Sequence, residues 1–192
     1  GLHRVGKKSV ERRVYESVRS QWPTEEDVLA ALKRHLFEVD EEVERIARHV
    51  AVMPEVADAT PLLLSLMGSS GSGKSSAVAA LTTLVGDEYV LHVSGEAMQV
   101  EDYPTDVTGA PAGTRGYDDD KSVYALMRKL AKRGVRAKRG VMLVVDEFCK
   151  MGDASVTAFM RVLDSGVVGG KGDDLRVPYM LIVLIGNYGE VV

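Results

Sequence analysis

Three short runs of apolar residues stand out in a chain whose hydrophobic and polar positions are otherwise mixed. They are Leu62–Met67, Val141–Val145 and Met180–Ile185, each five or six residues long. This length, with turn-forming residues at the boundaries, favours buried strands over helices. A fourth run, Tyr89–Val93, is weaker but rich in β-branched residues. The pattern therefore predicts four strands.

Helical patterns lie between these strands, at roughly Lys74–Val85, Asp119–Arg133 and Ser155–Leu163. Buried strands that alternate with helices predict a parallel sheet covered on both faces, which is the α/β class. The stretch Gly166–Asp174 holds four glycines in nine residues and reads as a loop or hairpin turn.

The N-terminal part of the chain follows a helical pattern before the first strand. Thr24 is a candidate cap for a helix whose first turn is acidic, and the pattern continues to about Val52, with a second helix from near Asp40. Residues 1–20 read as a weak helix or a linker. We therefore divide the chain into an N-terminal extension or linker (1–22) and one α/β domain (23–192).

Composition limits the classes of protein to consider. With 192 residues, 45% hydrophobic and 27% charged, the chain fits one globular domain. No apolar stretch approaches the roughly 18 residues of a membrane-spanning helix, so we expect no membrane span. The single cysteine, Cys149, cannot form an intramolecular disulfide and is expected to be a small buried residue. The use of a single, unpaired cysteine favours an intracellular, reducing compartment, either cytoplasm or mitochondrial matrix.

Charge argues weakly against a general nucleic-acid binder, because the net charge is −4. One segment, Arg128–Arg139, nevertheless carries seven basic residues. It is either a patch for RNA or an acidic partner, or the solvated face of a helix and its following loop. The second interpretation is the more common one for such runs.

The first strand is followed by a match to the phosphate-binding pattern G-x-x-x-x-G-K-[ST]. Glycines let successive backbone N–H groups point at an anion, and the helix N-terminus adds partial positive charge. Lys74 would reach the β- and γ-phosphates, and the Ser75 hydroxyl would bind Mg²⁺. The alternative is a flexible Gly/Ser turn. The candidate nucleotide-binding residues here are Gly68, Ser69, Ser70, Gly71, Ser72, Gly73, Lys74, Ser75 and Ser76.

Polar residues follow two of the other strands. Val141–Val145 runs into Asp146 and Glu147, so that Asp146 would hold Mg²⁺ and Glu147 would polarise an attacking water. A solvated acidic turn is the alternative. Asn187, just beyond the last run, would orient the water or contact the γ-phosphate, or else simply form a turn. The candidate catalytic residues are thus Glu147, Lys74 and Asn187.

These elements together resemble the large subdomain of an AAA+ ATPase, specifically the second ATPase domain of Clp/ClpB-type disaggregases. The resemblance covers about residues 32 to 190. Its most specific part is Gly109–Tyr117, which matches G-A-P-x-G-x-x-G-Y. The other matching segments are Val145–Lys150 (L-D-E-x-x-K), Leu163–Gly166 (L-D-x-G), Gly186–Gly189 (S-N-x-G) and the helix-entry motif at Leu36, Phe37, Asp40 and Glu41.

The resemblance implies a function and partners. Leu36 and Phe37 would lie against the adenine of ATP, Mg²⁺ would be the metal, and protomers would assemble in a ring that moves a protein client. One position departs from the family: Thr114 stands where disaggregases carry an aromatic residue that grips the client. Torsins, related AAA+ proteins without that grip, are therefore also similar.

The resemblance also implies segments beyond Val192. The family's fifth strand, arginine finger, sensor-2 arginine and small helical lid would all follow it, so we expect a large subdomain without its lid. The missing strand would leave Leu62–Met67 as an apolar sheet edge, which soluble proteins avoid. We expect either an excerpt of a longer protein or an edge covered by another subunit.

The sequence thus favours an Mg-dependent ATPase module of a Clp/ClpB-like protein-remodelling chaperone, whose activity requires further segments or neighbours. The alternative is a nucleotide-binding structural or scaffold subunit, favoured by Thr114. The intact Glu147 speaks against a site without hydrolysis. The third interpretation is a small-molecule phosphotransferase. It ranks below the other two because the segment Gly109–Tyr117 does not match such an enzyme.

Overall fold

The computed structural model describes residues 2–35, 41–68, 73–98, 123–169 and 174–187. The helices and strands are, in chain order, α1 (Leu2–Gln21), α2 (Glu25–His35), α3 (Glu41–Ala51), α4 (Met53–Val56), β1 (Leu62–Gly68), α5 (Lys74–Val85), β2 (Val90–Ser94), α6 (Val123–Ala137), β3 (Val141–Asp146), α7 (Asp153–Ser165), β4 (Val167–Val168), β5 (Leu175–Arg176) and β6 (Met180–Asn187). Short 3₁₀ turns occupy Asp87–Tyr89, Gly95–Met98 and Phe148–Lys150.

The four predicted strands form one parallel sheet in the order β1-β6-β3-β2. This confirms the α/β class, and the arrangement is compatible with a P-loop type of nucleotide-binding fold. The strands differ from the predicted runs by one or two residues at their ends. Strand β6 is the last of the described strands along the chain, but it lies between β1 and β3 in the sheet. The end of β6 therefore lies beside the end of β1.

The central strands are buried on both faces, which explains their unbroken apolar sequences. In β6 every residue from Met180 to Gly186 is buried, and in β3 Val141 to Val145 are buried. Alternate residues enter two separate cores. Leu181 and Val183 pack with α2, α3 and α5, whereas Ile182 and Leu184 pack with α6 and α7. The sheet therefore separates two helical layers, as predicted.

Helix α2 begins where its sequence predicts, through a reciprocal cap. The Asp27 backbone N–H donates to Thr24 Oγ1 at 3.1 Å, and the Thr24 N–H donates to Asp27 Oδ2 at 3.0 Å. This pair satisfies a helix N–H that no intrahelical carbonyl reaches. The second predicted helix is also present, as α3.

Residues 2–21 form a helix, the first of the two alternatives predicted there, and its end is packed on the core. Val18 and Trp22 are buried. Trp22 Nε1 donates to the Val50 carbonyl at 2.8 Å, a carbonyl whose usual helical donor would be the absent N–H of Pro54. The predicted domain boundary at residue 22 stays a prediction, but α1 shares buried contacts with the residues after it.

Strand β1 lies at the edge of the sheet, and within the described residues it pairs only with β6. Leu63 and Met67, which point to the face away from α5, are 38% and 37% exposed. In this strand the Leu63 carbonyl oxygen lies 2.6 Å from His49 Nε2. This edge is the one that the sequence resemblance predicts to be exposed in the chain.

The basic run between residues 128 and 139 forms the exposed side of α6 and the loop that follows. Lys129, Lys132 and Arg136 are exposed, and the Arg139 guanidinium lies 4.2 Å from the centre of the Tyr89 ring. This placement matches a solvated helix face. None of the described helices combines the length and apolarity needed to cross a membrane.

The glycine-rich stretch after α7 is confirmed as a hairpin connection. Strands β4 and β5 pair antiparallel, with Val167 opposite Arg176 and Val168 opposite Leu175. Gly166 ends α7 at φ +68, and an added Cβ there would collide with the Ala59 carbonyl oxygen. A glycine is therefore required where the chain turns from α7 into the hairpin.

Candidate functional site

The carboxyl ends of the four parallel strands meet at one edge of the sheet. The register places Gly68 of β1 opposite Asn187 of β6, and Ser94 of β2 opposite Asp146 of β3. On the neighbouring strands β3 and β6, Val145 lies opposite Leu184, so Asp146 is two residues short of the level of Asn187 and all four residues lie near the same end of the sheet. In open parallel sheets, ligands bind in the crevice outside this edge.

Helix α5 starts at this edge, immediately after a glycine with a left-handed backbone. Gly73 has φ +89 and ψ +7, which a residue without Cβ adopts most readily. Its carbonyl accepts the N–H of Ala77 at 3.0 Å, so the helix is regular from its first turn. The N-terminus of α5, with its partial positive charge, is consequently aimed at the same edge of the sheet.

Lys74 connects the start of α5 to the ends of two strands. Its Nζ donates to the Gly68 carbonyl oxygen at 2.6 Å and to Asn187 Oδ1 at 2.6 Å. Two predicted site residues that are far apart in sequence are thus in direct contact. The lysine ammonium group lies where β1 ends and α5 begins.

Ser75 and Asp146 line one cavity of about 440 Å³ between α5 and the β2 side of the sheet. Both side chains are exposed. A hydroxyl and a carboxylate are oxygen donors suited to Mg²⁺, which binds through one or two carboxylates together with waters and substrate phosphates. The described residues contain no group of three or more His, Cys, Asp or Glu side chains able to hold a metal. The Ser75 hydroxyl and the Asp146 carboxylate are thus oxygen donors of the kind that Mg²⁺ accepts together with waters and phosphates.

Glu147 has a backbone conformation that is uncommon for a residue with a side chain. Its φ is +53 and its ψ is +40, in the left-handed region, at the point where β3 ends. Strained backbone of this kind costs about 1–3 kcal/mol and occurs often at functional sites. Gly95, at the end of β2, packs so tightly here that an added Cβ would collide with the Glu147 carbonyl oxygen.

The Glu147 carboxylate is held by side chains from two segments. Lys150 Nζ lies 3.3 Å from Oε1, and Ser94 Oγ donates to Oε2 at 3.5 Å. A hydrogen bond with the Glu96 side chain, and then the hydrogen bond from Lys150, lower the pKa of Glu147 below its usual value. This direction favours the charged carboxylate, the form that a base needs.

Some predicted residues are not placed by the structure. Leu36, Phe37, the loop residues Ser69, Ser70, Gly71 and Ser72, and the Gly109–Tyr117 segment with Thr114 lie outside the described residues. Ser76 is described and exposed on the first turn of α5. The proposed adenine contact and the client-gripping position thus remain predictions.

Three residues near Glu147 were missed as site residues in the sequence: Ser94, Gly95 and Glu96. A signal existed, because Ser94 directly follows the predicted strand Tyr89–Val93 of the same parallel sheet, and polar residues at such ends meet at one edge. The prediction for Cys149 was wrong. Its side chain is exposed, because it lies in the turn after β3, beside Gly186, and not in a core layer.

No model of a known protein family matches this chain, and no curated protein matches it.

Proposed function

We propose that the chain binds Mg·ATP at the carboxyl edge of its parallel sheet and hydrolyses it. The observation that carries this proposal is the position of Lys74, whose Nζ is within 2.6 Å of both Gly68 O and Asn187 Oδ1. A lysine at the start of a helix that follows a glycine loop is suited to bind phosphate, because charge, helix dipole and backbone N–H groups act on the same anion.

Each residue at the edge has a separate part in this proposal. Lys74 binds the β- and γ-phosphates, while Ser75 and Asp146 hold Mg²⁺. When bound, Mg²⁺ neutralises charge that develops on the phosphate oxygens. Ser75 and Asp146 line the same cavity, which supports their acting on one ion.

Glu147 and Asn187 act on the water that attacks the γ-phosphate. The Glu147 carboxylate is held by Lys150 and Ser94, which supports its role as the base or water-orienting group. Asn187 lies on the strand next to β1 and has an amide that can orient the water. A turn-forming role for Asn187 is less consistent with its contact to Lys74.

We further propose that this ATPase is an AAA+ module of a Clp/ClpB-like protein-remodelling chaperone. The motif resemblance supports this, together with the order of the parallel strands, in which the strand ending at Asn187 lies beside the phosphate strand. In this proposal protomers of the chain form a ring, a neighbouring subunit covers the exposed edge of β1, and a protein client is moved in an intracellular, reducing compartment.

The test is calorimetric titration of the chain with Mg·ATP, followed by single-turnover hydrolysis with protein in excess. Lys74→Ala should weaken binding by about 10- to 100-fold, because it removes hydrogen bonds from a charged donor. Glu147→Gln should keep binding and slow hydrolysis by about 10²- to 10⁴-fold.

The matched control is Lys132→Ala, an exposed lysine on α6 away from the sheet edge. It should bind and hydrolyse as the unmodified chain does. Unchanged affinity in Lys74→Ala would contradict the phosphate site. Loss of binding in Glu147→Gln would instead indicate that Glu147 holds Mg²⁺ and that Asp146 acts on the water.

A further inference from the structure

The turn after β3 places Lys150 directly over Glu147. Residues Phe148–Lys150 form a 3₁₀ turn, in which side chains three residues apart are eclipsed. The Lys150 backbone N–H donates to the Glu147 carbonyl at 2.9 Å, which closes the turn. The backbone itself thus carries the Lys150 ammonium group to 3.3 Å from Glu147 Oε1.

The opposite side of Glu147 is fixed by the end of β2. Ser94 donates to Oε2 at 3.5 Å, and Gly95 packs against the Glu147 backbone. Lys150 in the turn after β3 and Ser94 at the end of β2 therefore lie at different carboxylate oxygens, and the Glu96 side chain forms a further hydrogen bond with this carboxylate. Two contacts of this kind restrict the rotation that the Glu147 side chain would otherwise have about its several torsions.

The Lys150 contact is the shorter of the two, yet it should add little to stability. Both side chains are about one-third exposed, 31% for Lys150 and 32% for Glu147. Ion pairs with this exposure are screened by water and stabilise proteins only slightly. The effect that remains is geometric: Lys150 selects one orientation of the Glu147 carboxylate.

We propose that Lys150 is a positioning residue, which holds the Glu147 carboxylate in the orientation needed to activate the attacking water. This inference rests on the proposed ATP hydrolysis. A small displacement of a catalytic group can reduce a rate about 100-fold, because the reacting atoms must be aligned. Lys150 therefore acts on the chemical step through Glu147 and not on nucleotide binding.

The experiment is single-turnover hydrolysis of Mg·ATP by the full chain, with binding measured separately by calorimetry. Lys150→Met removes the charge but keeps a side chain of similar length, and should lower the rate about 10- to 100-fold with the affinity changed by less than about 3-fold. Lys150→Arg, which can still donate to Oε1, should recover at least about one-third of the rate. Lys132→Met is the matched control and should hydrolyse as the unmodified chain does.

A double variant tests whether Lys150 acts through Glu147. In the Glu147→Gln background the carboxylate is absent, so Lys150→Met should cause no further loss of rate. The same fold-loss in both backgrounds would overturn the inference. An unchanged rate in Lys150→Met alone would also overturn it.

A second readout does not depend on hydrolysis. In a crystal structure of the Lys150→Met chain, Glu147 Oε2 should lie beyond hydrogen-bond distance of Ser94 Oγ. An unmoved carboxylate would overturn the inference even if the rate falls.

The outcomes separate this inference from the proposed function. A chain that fails to bind Mg·ATP, or whose affinity is unaffected by Lys74→Ala, contradicts the proposed function itself. If Glu147→Gln slows hydrolysis but Lys150→Met does not, only the positioning role is wrong.

Discussion

Lys74 donates a 2.6 Å hydrogen bond to Asn187 Oδ1, although 113 residues separate them in the sequence. The contact exists because β6 inserts between β1 and β3, which sets Asn187 opposite Gly68 at the strand ends. The residue proposed to bind phosphate and the residue proposed to orient water thus share one hydrogen bond. Substitution of either residue should therefore change the position of the other side chain.

Asn187→Ala should reduce single-turnover hydrolysis by about 100-fold, the usual effect of removing one polar group aimed at the reacting atoms. Nucleotide affinity should change less than in Lys74→Ala, because the lysine charge remains. Calorimetry and rapid quench measure the two quantities. Gln21→Ala, which removes an exposed amide on α1, is the control. If Asn187 only forms a turn, its variant will hydrolyse at the control rate.

Gly95→Ala should slow hydrolysis by about 10-fold or more while nucleotide binding is largely kept. The added Cβ would meet the Glu147 carbonyl oxygen, so the turn after β3 has to shift and the carboxylate moves with it. Gly6→Ala is the comparison, because a Cβ there has no neighbour within 4 Å. Equal rates in both variants would mean that the position of Glu147 does not depend on the end of β2.

Trp22→Phe should destabilise the chain by about 1–3 kcal/mol, because the buried Val50 carbonyl loses its donor. Urea denaturation followed by circular dichroism measures the free energy of unfolding. The matched control is Tyr15→Phe, which removes an exposed hydrogen bond to Glu55 and should cost less than about 0.5 kcal/mol. Similar losses of unfolding free energy in the two variants would mean that the Val50 carbonyl does not depend on the hydrogen bond from Trp22.

Thr24→Ala should lower the free energy of unfolding by about 1 kcal/mol, since it removes the side-chain cap of α2. The reciprocal residue has a pH signature. The Thr24 backbone N–H, and then its hydroxyl, lower the pKa of Asp27 below its usual value. A group with a lowered pKa stabilises the fold above its unfolded pKa, and this contribution is lost as the pH falls through the folded pKa.

Asp27→Asn should therefore be less stable than the unmodified chain at pH 7, and the difference should shrink below about pH 4. Denaturation curves at pH 7 and pH 3 test this. Glu26→Gln, in the same helical turn, controls for the general effect of an acidic residue near the helix N-terminus. A difference that is the same at both pH values would mean that the charge of Asp27 does not contribute to the cap.

The candidate site could be predicted where its chemistry is local in sequence. Gly73, Lys74 and Ser75 form a motif because a phosphate cradle needs a tight turn, a charge and a helix start in consecutive residues. Ser94 and Gly95 escaped notice because their role depends on packing against Glu147, more than fifty residues later in the chain. Only the position of Ser94 at the end of a predicted strand run could have signalled it, because the packing contact itself leaves no pattern in either segment.

The sequence by itself determined the four strands of the parallel sheet and the helices between them. Strong apolar runs can only be buried, so the strands and the parallel α/β class followed from Leu62–Met67, Val141–Val145 and Met180–Ile185. Even the start of α2 was predictable, because Thr24 and Asp27 form their cap within one turn. These features depend on residues close to one another along the chain.

Only the tertiary structure decided which strand ends meet and how the side chains there are held. The order β1-β6-β3-β2 brings Asn187 to Lys74, and the left-handed conformation of Glu147 sets its carboxylate between Ser94 and Lys150. The α1 helix was ambiguous for the same reason: its end is held by a buried carbonyl that Pro54 leaves without a donor. Apart from the local pairing of Glu147 with Lys150, these contacts join segments distant in sequence, and such contacts form only when the sheet is assembled.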